Sequence, residues 1–194
     1  MLSVLEKMVD VRASYSAAHL LKTLLLLSDK KIGRHKLIAE LGLNEASVKT
    51  ILKNLEKNNI AEPFATGYQL TKKGAALAKR LKKKIPHISP MPENELMVGK
   101  CNTIVVVRNA AKKIKFGLEQ RDAAIKAGAD GATTLVCKNS RLVLPGVDMK
   151  VKEMEKMLGE RFELENNDVV IIGSASSRHK SEEGALAAAM MTLG

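Results

Sequence analysis

The chain has 194 residues, of which 45% are hydrophobic, and its 32 Lys and Arg residues against 21 Asp and Glu residues give a formal net charge of +11. This length and apolar content fit one large or two small globular domains and exclude a chain that is disordered throughout. No run approaches the roughly 20 apolar residues that span a bilayer. The first ten residues lack the features of a secretory signal, so we expect a soluble protein of the cytoplasm that has no membrane partner.

The positive charge is concentrated in the first half of the chain. Residues 1–92 carry 17 basic and 7 acidic side chains, a net charge of +10, whereas residues 93–194 carry 15 and 14, a net charge of +1. A summed positive field attracts polyanions, so we expect the first half to meet one. The charge changes near a cluster of three of the five prolines, which disfavour helix. We therefore predict one domain over 1–85, a Pro-rich linker over 86–95 and a second domain over 96–194.

The first half begins with three predicted helices. Leucines at helical spacing predict a buried helix over 15–28, and a second apolar stripe predicts a short helix over 34–41 that ends at Gly42. Asn44 suits the N-cap of the third helix, which extends to about Asn58. The apolar face of this third helix leaves a set of polar residues away from the core: Ser47, Lys49, Thr50, Lys53, Asn54 and Lys57.

A hairpin and a basic helix follow. Two short runs, 60–64 and 68–70, flank a turn that contains Gly67, and this spacing predicts a β-hairpin. Thr71 can cap a helix over 72–84, whose apolar stripe lies beside many Lys and Arg residues.

Two runs in this half carry a family likeness: LIAELGLNEASVKTILKNLEK at 37–57 and YQLTKKG at 68–74. They resemble winged helix-turn-helix transcription regulators, and the likeness covers roughly residues 15–85. In that family the third helix enters the major groove of DNA. The resemblance therefore implies that base edges and phosphates are contacted by Ser47, Lys49, Thr50, Lys53 and Asn54.

The turn of the hairpin departs from the family pattern. Wings in the family often carry Arg or Lys at the tip, whereas residues 65–67 are Ala, Thr and Gly. We therefore expect the DNA backbone to be contacted by Lys72 and Lys73, just after the hairpin.

Other functions fit a basic winged helix as well. Such domains also bind proteins, and RNA is an alternative polyanion. Aromatic residues make up 3% of the chain and Trp is absent, which disfavours recognition of single-stranded RNA by base stacking. The basic run at 79–84 fits a phosphate contact and a solvated helix face equally well.

The second half predicts the element order β-α-β-β-α-β-α. This order indicates an α+β fold, with a two-layer domain in which helices cover one face of a mixed or antiparallel sheet, as in ferredoxin-like folds. The predicted strands are 103–108, 132–138, 141–144 and 168–172, and the predicted helices are 110–127, 149–158 and 181–193, the last capped by Ser181.

Two polar clusters in this half are candidate ligand sites. One is the helical segment 119–122, and the other is the small-residue loop 173–180, whose backbone N–H groups could meet an anion at a helix start. Glu182 and Glu183 are expected at that same helix start, where they would offset its positive end. A solvated helical turn and an ordinary capped loop are the alternatives. The candidate ligand residues are Gln120, Arg121, Asp122, Ser174, Ser176, Ser177 and Arg178.

Catalytic and metal-binding motifs are not recognisable. Cys101 and Cys137 have no CxxC spacing and are read as reduced thiols, with a thiol sensor as the alternative. The four His residues lack ligand spacing, so we predict no metal and no cofactor. We expect a protein that is not an enzyme; in an enzyme, the loop 173–180 would be the phosphate cradle.

A wider resemblance rests on GLEQRDAAIKAGA at 117–129, DVVIIGSA at 168–175 and EGALAAA at 183–189. With the first half, these runs resemble archaeal two-domain winged-helix proteins whose C-terminal domain is of unknown function. The resemblance implies a transcription regulator. We expect a homodimer that binds double-stranded DNA by sequence, with a second domain that senses a small-molecule effector or holds the dimer. The alternative is an RNA-associated or protein-interaction factor.

Overall fold

The structure is a computed structural model that describes residues 2–10, 12–93, 97–147 and 151–194. The chain divides into two compact units, Met1–Lys83 and Lys84–Gly194. Within the described ranges, no helix has the length and apolar character needed to cross a membrane.

The first unit is made of helices and one hairpin. Three helices in succession and a hairpin give the element order of a winged helix-turn-helix, so this part of the predicted fold is confirmed. A short N-terminal helix was not predicted. The elements are α1 (Leu2–Glu6), α2 (Ala17–Asp29), α3 (Arg34–Leu41), α4 (Glu45–Lys57), β1 (Ala61–Phe64), β2 (Gly67–Leu70) and α5 (Lys72–Lys84).

The turn between α3 and α4 follows from two residues. Gly42 has a left-handed backbone (φ 66°) and donates its N–H to the carbonyl of Ile38, which ends α3. Asn44 then caps α4, because its Oδ1 accepts the N–H of Ser47 at 2.9 Å. Both predictions are confirmed. The turn directs the apolar face of α4 into the core, where Val48 and Ile51 are fully buried.

The hairpin is held against the connection between α2 and α3. β1 and β2 are antiparallel, with Ala61 opposite Leu70 and Phe64 opposite Gly67. An isolated bridge joins Ile32 to Tyr68. A Cβ at Gly67 would lie 2.4 Å from the carbonyl oxygen of Ile32, so this close approach requires glycine.

The second unit is a five-stranded sheet with helices. Every pair of neighbouring strands is antiparallel, and the strand order is β3-β4-β7-β5-β6. The strands are β3 (His87–Met91), β4 (Cys101–Val107), β5 (Gly131–Lys138), β6 (Arg141–Val143) and β7 (Val169–Ala175). The helices are α6 (Leu118–Lys126), α7 (Lys152–Arg161) and α8 (Arg178–Leu193), and a single 3-10 turn spans Ala111–Lys113.

The order β-α-β-β-α-β-α is confirmed from β4 to α8, and so is the α+β class. The predicted helix over 110–127 is too long, because Gly117 adopts a left-handed backbone (φ 78°) and α6 begins after it. The predicted helix over 149–158 is α7, shifted toward the C-terminus; Met149 lies outside the described residues. In a ferredoxin-like order β6 would lie between β4 and β5, whereas here β7 does.

Helices cover both faces of the sheet, not the single face that was predicted. On one face, Met154 and Leu158 of α7 join a core with Ile104 and Ile172. On the other, α8 packs closely: a Cβ at Gly173 would lie 2.7 Å from the backbone nitrogen of Ala185. Strand β7 is buried along its whole length, which requires cover on both sides.

The prediction of a linker over 86–95 is wrong for residues 87–91. Residues 87–91 form the edge strand β3, which pairs with β4 from His87 opposite Val106 to Met91 opposite Asn102. Pro90 is tolerated there because an edge strand can spare one backbone donor. Of the remaining residues of the predicted linker, 94 and 95 lie outside the described part of the chain.

Candidate nucleic-acid interface

The outer face of α4 presents Lys49, Thr50 and Lys53 to solvent. These are three of the predicted DNA-contacting residues. The Thr50 hydroxyl donates to the carbonyl of Ala46 at 3.0 Å, which leaves its oxygen able to accept a hydrogen bond. Lys53 has no ion-pair partner within the described ranges, so its ammonium group is available to an anion.

An acidic residue lies at the start of the same face. The Glu45 carboxylate is 3.2 Å from Lys49 Nζ and 3.3 Å from Arg34 Nη2. The hydrogen bond and charge of Lys49, followed by the charge of Arg34, lower the pKa of Glu45 below its ordinary value. The carboxylate therefore stays ionised, which suits the positive end of the helix, and it partly neutralises Lys49. Lys53 is consequently the least compensated cation on this face.

Ser47 and Asn54 are turned toward other parts of the unit. Ser47 is only 4% exposed, so the prediction that it lies away from the core is wrong. Its hydroxyl donates to Asn44 Oδ1 at 2.9 Å and lies 2.6 Å from the hydroxyl of Ser14. The half-buried Asn54 donates from Nδ2 to the carbonyl of Met8 at 2.9 Å and to the Tyr15 hydroxyl at 2.7 Å. Both side chains hold the preceding segment against α4.

We call that segment, residues 8–10 and 12–15, the N-terminal arm. The arm and the N-terminal half of α4 enclose an open cleft of about 490 Å³. Burial is the largest cause that raises the pKa of Tyr15 above its ordinary value, so its phenol stays protonated at neutral pH. The lining groups are mostly polar and include Asp10, Arg12, Ser14, Tyr15, Asn44, Thr50 and Asn54.

Lys72 and Lys73 are exposed at the start of α5. Lys73 donates to the carbonyl of Asn58 at 2.9 Å, at the C-terminal end of α4. Thr71 accepts the N–H of Gly74 at 3.1 Å, which is the capping role predicted from the sequence. Lys72 has no hydrogen-bond or ion-pair partner within the described ranges, whereas Lys73 binds the C-terminal end of α4.

A lysine side chain that was not predicted to lie at the hairpin contacts it. Lys31 Nζ lies 3.3 Å from the centre of the Phe64 ring at the end of β1. The contact depends on the bridge that holds residue 32 against β2. No local sequence signal could have revealed it, since the two residues are separated by α3, α4 and most of β1.

The candidate ligand residues of the second unit are divided between buried and exposed positions. Gln120 is 2% exposed, and its Oε1 has no hydrogen-bond partner in the described part of the chain. The exposed side chains of Arg121 and Asp122 form an ion pair at 3.2 Å. Ser174 is buried in β7 and donates to Asn102 Oδ1 at 2.7 Å.

The two predicted clusters lie at different points along the sheet. Gly117, just before α6, packs against Thr134 in the middle of β5. Ser174 instead pairs with Gly131 at the start of β5. The register therefore separates the α6 cluster from the loop after β7.

The start of α8 also differs from the prediction. Ser177 is the N-cap and the helix begins at Arg178, so Ser181 lies inside the helix and is buried. The Ser181 hydroxyl donates to the carbonyl of Arg178 at 2.9 Å and lies 2.9 Å from Thr103 Oγ1. Ser176 and Arg178 are exposed. The first turn is basic, and Glu182 and Glu183 lie further along the helix.

A buried ion pair links the ends of β4 and β7, and the sequence analysis did not anticipate it. Asp168 is 1% exposed and pairs with the Arg108 guanidinium. Its carboxylate also accepts the backbone N–H groups of Asn109 at 3.1 Å and Glu165 at 2.8 Å. The pair joins the end of β4 to the start of β7. Among the described residues, no three His, Cys, Asp or Glu side chains are grouped to hold a metal ion.

Comparison with known proteins shows similarity to a protein family and to a solved structure. Residues 98–193 are similar to a domain of unknown function, DUF4443. The chain is also similar to the solved structure of the hypothetical protein PH0730 from Pyrococcus horikoshii OT3, with 28% sequence identity, a TM-score of 0.75 and coverage of 91% of each chain. No curated protein matches. The chain is therefore related to an archaeal protein through parts of both units.

Proposed function

We propose that the protein is a transcription regulator whose first unit binds duplex DNA by sequence through α4. The observation that carries this proposal is the capped, solvent-facing surface of Lys49, Thr50 and Lys53 on the helix that follows the helix-turn-helix turn. A helix of this kind fits the major groove, where hydroxyls meet base edges and lysines neutralise phosphates. The net charge of +10 on residues 1–92 supports the same partner.

Selection of bound duplexes from a random DNA pool tests this function. At about 150 mM salt, with RNA as competitor, purely electrostatic binding is strongly weakened. Enrichment of one motif supports a sequence-reading regulator, and a palindromic motif supports two-fold pairing of half-sites. Lack of enrichment, or loss of the protein to RNA, favours the RNA-associated or protein-interaction factor.

Variants at two positions of α4 distinguish recognition of the base sequence from electrostatic attraction to the phosphates. Thr50→Ala should change the preference at one base position by about 1 kcal/mol, because a hydroxyl contact to a base edge is lost. Lys53→Ala should weaken binding to all duplexes alike and reduce the salt slope by about 1. Both are exposed positions on α4, so each variant serves as the folding control for the other. Equal effects of the two variants would contradict the assigned roles.

For the second unit we propose assembly of a homodimer. Large apolar side chains are exposed there, including Phe116 (64%), Val147 (57%) and Met191 (53%). Exposed apolar surface favours association with another protein surface. Analytical sedimentation tests the proposal: a dimer that Met191→Glu converts to monomer supports it, and a monomer at all concentrations, with and without DNA, contradicts it.

Sensing of a small-molecule effector is the second candidate role for this unit. The buried, unpartnered Oε1 of Gln120 is the observation that favours it, since buried acceptors normally have a partner. Thermal shift measurements over nucleotides and amino acids test the idea, because a ligand that binds the folded state raises its unfolding temperature. A shift abolished in Gln120→Leu would support sensing, and no shift across the library would leave assembly alone.

A further inference from the structure

The N-terminal arm lies along one flank of α4. Three hydrogen bonds hold it there: Ser14 with Ser47, and Asn54 with both the carbonyl of Met8 and the hydroxyl of Tyr15. The contacts extend over two turns of α4, from Ser47 to Asn54. The position of the arm beside this helix is therefore fixed by the folded unit.

The flanks of a helix that enters a groove face the walls of that groove. In the major groove of duplex DNA those walls are the two phosphate backbones, whereas the base edges form the floor. The outer face of α4, with Thr50 and Lys53, would face the floor and one wall. A segment held against the flank of α4 would then lie beside a phosphate backbone.

Arg12 is the basic residue of the arm. Its side chain is exposed, lines the cleft between the arm and α4, and has no ion pair within the described ranges. The acidic group of the cleft is Asp10, whose Oδ1 accepts the backbone N–H of Arg12 at 2.9 Å. This hydrogen bond shapes the turn of the arm and leaves the guanidinium available. Five donors in a planar fork make arginine well suited to phosphate.

We infer that the N-terminal arm is a second DNA-contacting element, which places the Arg12 guanidinium on a phosphate beside the α4 helix. The inference rests on the proposed DNA-binding function. It assigns to Arg12 a contact that adds affinity without reading sequence, and it gives Ser47 and Asn54 a positioning role in the same interface.

Binding of the selected duplex over a range of salt concentrations tests the inference. One phosphate contact contributes about 0.9 to the slope of log K against log salt. Arg12→Ala should therefore reduce the slope by about 1 and weaken binding roughly fivefold at 150 mM salt, equally for selected and unrelated duplexes. Arg12→Lys should keep the slope, and Arg141→Ala, which removes the same charge from an exposed position on β6, should bind like the parent protein.

The outcomes separate the two proposals. An unchanged slope in Arg12→Ala, with the parent protein still binding its duplex, overturns the role of Arg12 alone. A loss confined to the selected duplex overturns the phosphate contact in favour of base reading. A parent protein that binds no duplex overturns the proposed function together with this inference.

A double-variant cycle tests the positioning by the arm. If Arg12 acts from the position that Asn54 fixes, then Arg12→Ala should weaken DNA binding less in an Asn54→Ala background than in the parent protein. An equal loss of DNA affinity in the two backgrounds would show that the guanidinium acts independently of the contacts to α4.

Discussion

The surface of α4 in the first unit and the sheet of the second unit differ in which side chains they bury and expose. On α4, lysines and a threonine face solvent, while Ser47 and Asn54 are used for internal hydrogen bonds. In the second unit the buried Asp168 pairs with Arg108 where β4 ends and β7 begins, and large apolar side chains are exposed. The first unit thus exposes basic and polar side chains on α4, and the second exposes several large apolar side chains.

The ion pairs on the surface of α4 differ in the same way from the pair of Arg108 and Asp168. Glu45 and Lys49 are about half exposed, where solvent and salt weaken their attraction. Asp168 is buried, and its contacts with Arg108 and two backbone N–H groups offset the loss of its contacts with water. Breaking the surface pairs should therefore change the stability of the fold little, whereas breaking the buried pair should lower it.

The largest effect should come from Asp168→Ala. Removing the Asp168 carboxylate leaves two backbone N–H groups without their acceptor and takes the buried partner from Arg108, which keeps the Glu163 carbonyl at 2.9 Å. We expect a loss of about 3 kcal/mol in the free energy of unfolding. Both tyrosines of the chain, Tyr15 and Tyr68, belong to the first unit, and Trp is absent. Circular dichroism then follows both units during denaturation, while tyrosine fluorescence follows the first.

The control for this prediction is Asp122→Ala, which removes a carboxylate from an exposed ion pair. It should change stability by no more than about 0.5 kcal/mol. Equal destabilisation by the two variants would contradict the distinction between buried and surface pairs. We expect Asp168→Ala to shift the unfolding transition followed by circular dichroism more than the one followed by tyrosine fluorescence. Equal shifts would contradict an effect confined to the second unit.

A smaller effect is expected from Asn54→Ala in the first unit. The variant loses the hydrogen bonds to Met8 and Tyr15, and we expect a loss of about 1–2 kcal/mol, measured by denaturation with tyrosine fluorescence. Lys53→Ala, on the adjacent exposed position, is the matched control and should leave stability nearly unchanged. If Asn54→Ala is also neutral, the arm is not held by these contacts.

The smallest effect is a pH dependence in the second unit. Burial, with the nearby charges of Asp168 and Glu155, raises the pKa of the Cys137 thiol above its ordinary value of 9.0. The unfolded chain therefore loses this proton at lower pH than the folded chain, and stability falls as pH rises above about 9. Between pH 8 and 9.5 the loss should reach at most about 0.8 kcal/mol.

Denaturation of the parent protein and of Cys137→Ala, followed by circular dichroism at each pH, measures the contribution of this thiol to the pH dependence of stability. The variant should show a shallower decline over the same range. Restricting the range to pH 9.5 limits the contribution of Tyr15 and Tyr68, whose pKa values are also raised by burial. Parallel curves for the two proteins would contradict a buried, protonated thiol.

The helices of the first unit could be predicted because their signals are local. The bounds of α3 match the predicted 34–41, since Gly42 and Asn44 define both sides of one turn within four residues. The strand β3 could not be predicted in this way. Its residues resemble a linker by composition, and they become a strand because β4 offers an unpaired edge some fifteen positions further along the chain.

The candidate interface was predictable in part for the same reason. Helical periodicity correctly places Lys49, Thr50 and Lys53 on an exposed face. It fails for Ser47 and Asn54, because periodicity describes which side of a helix faces the core and carries no information on a separate segment that covers a flank. The contact of Lys31 with Phe64 was missed on the same ground.

The sequence by itself determined the charge asymmetry, the caps and turns, the winged-helix order and the α+β class, because each of these depends on residues that are close along the chain. Only the tertiary structure decided that residues 87–91 join a sheet, that α7 covers its second face, that Asp168 is buried against Arg108, and that an arm lies beside α4. Those features depend on contacts between distant residues, whose energy is gained only when the chain has folded.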